Sequence, residues 1–259
     1  MLIAIPRLLI LMAFTAAAIA QCRNNEMVVL THHRFADVGA GQTTVTTDHL
    51  RHQLDRLEQR GYRYVALDVV EAAVLSHQPL LHRSVSVTAD DGHESIYTIL
   101  FPIIRERHIP LTLFIYPSIV SRRADALTWN QLREMQSSGS VRIQSHTFWH
   151  PNFRTEKKRL SSTEYEHLVE DQLIRSKTVL ERELGKPVRS LAWPYGIYDR
   201  ELQDAARSAG YQYAYAFDGK PSTPSDDPYA VHRIPVPDSS GIGFISCEVP
   251  LHHSTASRK

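Results

Sequence analysis

Two carboxylates stand side by side at Asp90-Asp91, followed by Gly92, at the end of the run Ser84-Val85-Ser86-Val87-Thr88-Ala89. Neighbouring side chains on an extended or turning backbone point in different directions, so one carboxylate can hold a cation while the other takes a proton. The same acidic pair is also ordinary chemistry for a solvated turn. His146 and His150 lie four residues apart, and Pro151-Asn152 argues against a long helix there, so a compact turn has to converge the two imidazoles. In a chain with 14 histidines, such a spacing also arises by chance. Joined by one carboxylate, the pair becomes a two-histidine, one-carboxylate donor set. Such a set leaves positions open around a divalent ion for water and substrate, as hydrolytic metal sites require.

These side chains need a frame to bring them together. From residue 26 onward, β-rich runs alternate with helical patterns, the signature of βαβ units around a parallel sheet. The run from Met27 to Thr31 reads as a buried strand that delivers His32 and His33 to its C-terminal end. Thr47 or Asp48 caps a helix through Leu50, Leu54 and Leu57 that ends at Gly61, and Tyr64 to Leu67 reads as the next strand. Ser84 to Ala89 is a strand leading into the acidic pair, with a helix after it from about Ser95 to Arg107. Leu111 to Tyr116 and Val141 to Ser145 are further strands, separated by a helix that Thr128 opens and Gly139 stops. A long polar helix from about Ser162 to Leu184 precedes a strand from Arg189 to Trp193 and the sharp turn Pro194-Tyr195-Gly196. A helix from Asp199 to Ala209, a strand from Tyr211 to Phe217, a polar loop and a last strand from Val231 to Val236 complete the pattern. Asp90, Asp91, His146, His150 and Tyr195 all fall at or just beyond strand C-termini, the edge where parallel α/β barrels build their active sites.

Three of these segments carry a family resemblance. Thr88-Ala89-Asp90-Asp91-Gly92 resembles the Thr-Phe-Asp-Asp-Gly motif of polysaccharide deacetylases with the NodB homology domain, and Ser145-His146-Thr147-Phe148-Trp149-His150 resembles their second, histidine-bearing motif. Trp193-Pro194-Tyr195-Gly196 is similar to the third. The motifs occur in the same order, and the resemblance runs over roughly residues 28 to 237, nearest the branch that modifies poly-N-acetylglucosamine exopolysaccharide. It implies an α/β fold, a distorted (β/α) barrel, with Asp91, His146 and His150 on a divalent metal ion and Asp90 as general base. Zinc suits that donor set, which also admits cobalt, nickel, manganese or iron. The backbone N–H of Tyr195 is implied as a donor to the developing oxyanion. Phe148, Trp193, Pro194, Tyr195 and Gly196 are candidates for the sugar site, with ordinary core packing as the alternative for the aromatic rings.

Ala89 replaces the usual Phe, and Ala192 stands where many members carry the arginine that orients the catalytic Asp. Arg233, in His232-Arg233-Ile234-Pro235-Val236, resembles an arginine in the terminal strand of the exopolysaccharide branch and is expected to supply that charge. A general acid for the departing amine stays unassigned between His232 and His253, while His32 either borders the cleft or is structural.

The remaining sequence bounds location and partners. With 29 basic and 28 acidic residues the chain has no global field to draw nucleic acid or an anionic membrane, so the expected partner is an N-acetylated polysaccharide. Residues 1–20, with Arg7 before an apolar stretch ending in Ala18-Ile19-Ala20, read as a signal peptide that leaves no stable transmembrane segment once cleaved. The expected location is therefore the periplasm or the exterior, with acylation at Cys22 as a lesser alternative. Only Cys22 and Cys247 are present, so no disulfide framework is implied. Residues 26–250 form the expected catalytic domain and 251–259 a tail. Two other readings stay open at this stage: a carbohydrate O-acetyl esterase of the acetylxylan type, and a non-catalytic glycan-binding barrel.

Overall fold

The computed structural model describes residues 26–38 and 43–236. The signal segment, Cys22, Cys247, His253 and the C-terminal tail lie outside the described residues.

The described chain folds into strands β1 (Val28–His32), β2 (Arg34–Ala36), β3 (Thr44–Thr46), β4 (Arg63–Tyr64), β5 (Ser84–Asp91), β6 (Leu111–Ile115), β7 (Val141–Ser145), β8 (Ser190–Ala192), β9 (Tyr213–Tyr215) and β10 (Ile234–Pro235). Its α-helices are α1 (Thr47–Gln59), α2 (Leu67–Ser76), α3 (Phe101–Glu106), α4 (Trp129–Ser137), α5 (Phe153–Arg159), α6 (Ser162–Leu184) and α7 (Arg200–Ser208). The main sheet runs β10-β1-β5-β6-β7-β8-β9 with β4 alongside β5, and all its pairings are parallel. One short segment draws the two ends of this curled sheet together. Val231 exchanges backbone bonds with Ala214 and Ala216 around β9, and three residues later Ile234 pairs with Leu30 of β1. The result is the expected distorted barrel. Its distortion is concentrated between β7 and β8, which share a single paired position, Ser145 with Leu191. There the Gln144 side chain stands in for the missing ladder, its Oε1 accepting from the Arg189 and Ser190 N–H groups at 2.8 Å each.

The period of two along each strand sorts residues to two environments. Leu30, Val85, Val87, Ala89, Leu113 and Ile143 face outward into the larger core beneath the helices. Val29, Phe114, Ala192, Tyr215 and Val231 face the barrel interior, where α2 plugs one end with Leu67, Val70, Ala73 and Val74. Ala89 therefore points into the outer core, away from the interior.

Several local expectations change. The segment read as a strand over 64–67 is only a two-residue β4, and the apolar run after it is α2. Its buried positions Leu67, Val70, Ala73 and Val74 keep helical spacing, but the exposed Val69, Ala72 and Leu75 are apolar too and blur that period in the sequence. The helix expected from Ser95 begins as a π-turn at Ile96–Leu100 before α3, consistent with Pro102 lacking the N–H that a regular α-turn would use. The added α5 follows the histidine turn, capped by the Asn152 side chain on the Thr155 N–H at 3.0 Å. Asp90 and Asp91 belong to β5 itself, with the turn beginning after them.

Candidate active site

Asp90 alternates inward with Ser86 and Thr88 on β5, and its side chain is buried, as is Arg233 on the segment that closes the barrel. Arg233 Nη1 and Nη2 donate to the two Asp90 carboxylate oxygens at 2.8 Å each. Its Nε donates to the Ala216 carbonyl at 2.9 Å, and the guanidinium sits 5.1 Å from the centre of the Phe114 ring. A guanidinium fixed on three sides gives a planar fork that matches a carboxylate. Burial pushes the Asp90 carboxyl upward, but the Arg233 charge, His146 and the paired hydrogen bonds outweigh it and hold it down at about 2. Asp90 is thus ionised although it is buried.

Asp91 ends β5 in the left-handed region at φ 71°, which turns its carboxylate away from that of Asp90. His146 follows β7, and its Nδ1 lies 2.8 Å from the Ala192 carbonyl. That contact makes Nδ1 the protonated nitrogen and leaves the Nε2 lone pair free. The following turn contains two more left-handed residues, Thr147 and His150, both at φ 64°, and the Thr147 hydroxyl accepts from the His150 N–H at 3.2 Å. Asp91 Oδ1 stands 3.6 Å from His146 Nε2 and 3.7 Å from His150 Nε2, and one donor atom from each residue falls within 4.8 Å of the others. Ligands about 2.1 Å from a tetrahedral ion stand about 3.4 Å apart, so this donor set fits a zinc-like cation. Burial, reinforced by His146, lowers the His150 pKa to about 4 against the pull of Asp91, keeping its imidazole neutral as a ligand must be. The Tyr195 ring packs edge-on against His150 with centroids 4.6 Å apart, and Tyr116 approaches from the other side at 5.4 Å.

The sequence profile of the family described as polysaccharide deacetylase matches residues 77–214, a span that holds both carboxylates and both histidines. The chain belongs to the polysaccharide deacetylase family. It is similar to the poly-beta-1,6-N-acetyl-D-glucosamine N-deacetylases of Staphylococcus aureus strain MRSA252, 28% identical over 163 residues, and of Staphylococcus epidermidis, 28% identical over 156 residues. These matches cover 61% and 59% of this chain, and it spans only 56% and 54% of the length of those relatives. Among solved structures it is similar to IcaB from Ammonifex degensii, with a TM-score of 0.75 and 27% identity, over 85% of this chain and 94% of that one. The Streptococcus pyogenes deacetylase PplD shares the fold, with a TM-score of 0.75 at 19% identity over 85% of this chain and 96% of its own.

Within this family member the residues singled out from the sequence separate into two groups. Asp90, Asp91, His146, His150, Tyr195 and Arg233 come together. Trp193 does not line the cleft: it is 0% exposed, donates from Nε1 to the Tyr229 carbonyl at 3.0 Å and packs among Phe153 and Tyr198. Phe148 is buried beneath the Arg175 guanidinium, 3.9 Å from its ring centre, and Pro194 is buried as well. Gly196 is required by close packing at φ 64°, because a Cβ there would meet Phe217 Cβ at 2.9 Å. The aromatics that do face solvent at the site are Tyr195, 60% exposed, and Trp149, 41% exposed, in the histidine turn itself.

The histidines are also redistributed. His32 is buried against Gln53 and the Thr88 carbonyl, on the same side of β1 as Leu30. His232 is paired with Asp218 at 2.7 Å, one position from the inward Arg233 and hence on the opposite side of its segment. His33 is the residue that faces the site. It packs edge-on against Phe217 at 5.5 Å, and its pKa is lowered by burial, with the charges of Asp90 and Asp91 pulling it back upward. The alternation of β1 was enough to find it: Leu30 and His32 face outward, so residue 33 turns towards Asp90.

Proposed function

We propose that this chain is a metal-dependent polysaccharide deacetylase that hydrolyses the N-acetyl groups of N-acetylglucosamine-containing glycans. The observation that carries the reading is the division of labour between adjacent carboxylates: Asp90 locked by Arg233, and Asp91 converging with His146 and His150 as a donor set. The N-deacetylase names of the staphylococcal relatives support the amide as the bond attacked.

Asp91, His146 and His150 would hold the cation, zinc being favoured by the donor set over cobalt, nickel, manganese or iron. When bound it would supply a Lewis acid that lowers the pKa of water toward about 7 and polarises the acetyl carbonyl. Asp90, held ionised beside this donor set, would take the proton of the attacking water as general base. Arg233 keeps Asp90 ionised and aimed. The Tyr195 backbone N–H is the candidate donor to the carbonyl oxygen as negative charge develops there, a contribution typically of about 3 kcal/mol. His33, beside both carboxylates, is the candidate acid that protonates the departing sugar amine. Trp149 and the Tyr195 ring offer apolar faces for the sugars on either side of the cleaved bond.

The apolar N-terminal run ending at Ala20 supports export, with the catalytic domain over 26–250 acting on a glycan outside the cytoplasm. Among the described residues no helix is long and apolar enough to cross a membrane. The test is acetate release from N-acetylglucosamine oligomers beside acetylated xylan, with and without chelator. Chelator-sensitive release from the oligomers supports the proposal. Release from xylan alone would replace it with an O-acetyl esterase, and glycan binding without release from either would leave a binding barrel.

A further inference from the structure

The turn that carries His146 and His150 holds two non-glycine residues, Thr147 and His150, in the left-handed region at φ 64°. Each such residue costs roughly 1–2 kcal/mol relative to a right-handed one, so the conformation persists only where the surroundings over-determine it. One face of α6 provides those surroundings. Gln172, Arg175 and Ser176 are spaced i, i+3 and i+4, which places them on the same side of the helix, and each meets a different part of the turn. Gln172, 1% exposed, accepts the Trp149 N–H on its Oε1 at 2.9 Å. Ser176 Oγ lies 2.7 Å from Ser145 Oγ, which accepts the Thr147 N–H at 3.2 Å. The Arg175 guanidinium covers the Phe148 ring at 3.9 Å. Burying an amide side chain is costly unless its hydrogen bond is needed, and an apolar residue would fill the same space under the turn.

We propose that Gln172 is a positioning residue for the metal site: by accepting the Trp149 N–H it holds the turn in the strained conformation that converges His146 and His150 on Asp91, with Arg175 and Ser176 completing the clamp. This rests on reading Asp91, His146 and His150 as metal ligands. Without the acceptor, the turn relaxes toward right-handed backbone and His150 leaves the donor set first, because its own φ is one of the two held positive. The fold of the barrel does not depend on that bond.

The experiment is titration of the metal-free full chain with Co²⁺, followed by its visible absorption, together with the melting temperature of the metal-free form. Gln172→Met keeps the shape of the side chain and removes the acceptor oxygen, while Gln172→Glu keeps an acceptor. Residues that orient metal ligands typically change affinity by about 10- to 100-fold. Gln172→Met is therefore expected to raise the Co²⁺ dissociation constant at least about tenfold, and Gln172→Glu to stay within about threefold of wild type. Arg175→Gln, at a side chain 55% exposed and so tolerated by the fold, supplies an independent reading with a smaller loss of affinity. Unchanged Co²⁺ affinity in Gln172→Met, or equal weakening in Gln172→Met and Gln172→Glu, overturns the proposal. A wild type that takes up no Co²⁺ overturns the metal-site reading itself and the clamp with it.

Discussion

Arg233 grips Asp90 through two parallel hydrogen bonds of 2.8 Å although 143 residues separate them in the sequence. The pair ties the strand bearing the acidic motif to the segment that closes the barrel, so closure of the fold and ionisation of the candidate base are the same event. A buried carboxylate without this partner would be driven toward its neutral form.

Replacing Arg233 with Met leaves Asp90 buried and unpaired. Breaking one side of a buried pair costs about 3–5 kcal/mol, which for a domain of this size lowers the melting temperature by roughly 10 °C. Turnover is expected to fall sharply while metal content, measured on the same folded sample, stays at the wild-type value because none of the candidate ligands is touched. Unchanged turnover would remove Arg233 from the catalytic account.

The same pair has a signature in acid. Asp90 titrates at about 2 when folded, against an ordinary value of 3.8, so its contribution to stability is fully present above about 4 and is lost as the pH falls through about 2. The stability gap between wild type and Arg233→Met, measured by denaturant unfolding of the metal-free forms, is therefore expected to shrink as the pH drops from 5 toward 2. A gap of constant size would show that Arg233 does not hold this carboxyl down.

His33→Asn separates leaving groups. General acids typically contribute about 100- to 10,000-fold, so kcat on N-acetylglucosamine oligomers is expected to fall at least about a hundredfold. Hydrolysis of 4-nitrophenyl acetate, whose departing phenolate needs no proton, should stay within about threefold. Equal losses on both substrates would place His33 elsewhere in the reaction.

Two tryptophans should respond in opposite ways. Trp149→Ala is expected to raise KM for oligomers about tenfold, equivalent to about 1.4 kcal/mol of sugar contact, with little change in melting temperature. Trp193→Phe deletes a buried hydrogen bond to the Tyr229 carbonyl, so about 1–3 kcal/mol of stability goes while KM is kept. The reverse assignment would mean that the cleft lies on the other side of the third motif.

Much of this site was legible in the residues. Strand alternation and turn signals put Asp90, Asp91, His146, His150 and Tyr195 at one rim, whereas Arg233 came from the family resemblance, in which Ala192 stands where many members carry an arginine. What the sequence hid was direction. Trp193 and Phe148 carry the same aromatic chemistry as Trp149 and Tyr195, and only packing tells a core ring from a cleft wall. Gln172, Arg175 and Ser176 look like an ordinary helix face until the turn they support is in place. α2 was missed because its solvent face carries Val69, Ala72 and Leu75, apolar residues that mask the helical spacing of the buried Leu67, Val70, Ala73 and Val74.

The most direct test is the rate of acetate release per bound metal ion, comparing wild type with Asp90→Asn. Asparagine keeps the size of the side chain but cannot take the proton, so the account predicts wild-type metal stoichiometry with release lowered at least about a hundredfold. Release at the wild-type rate from metal-loaded Asp90→Asn would contradict the division of the two carboxylates on which the account rests.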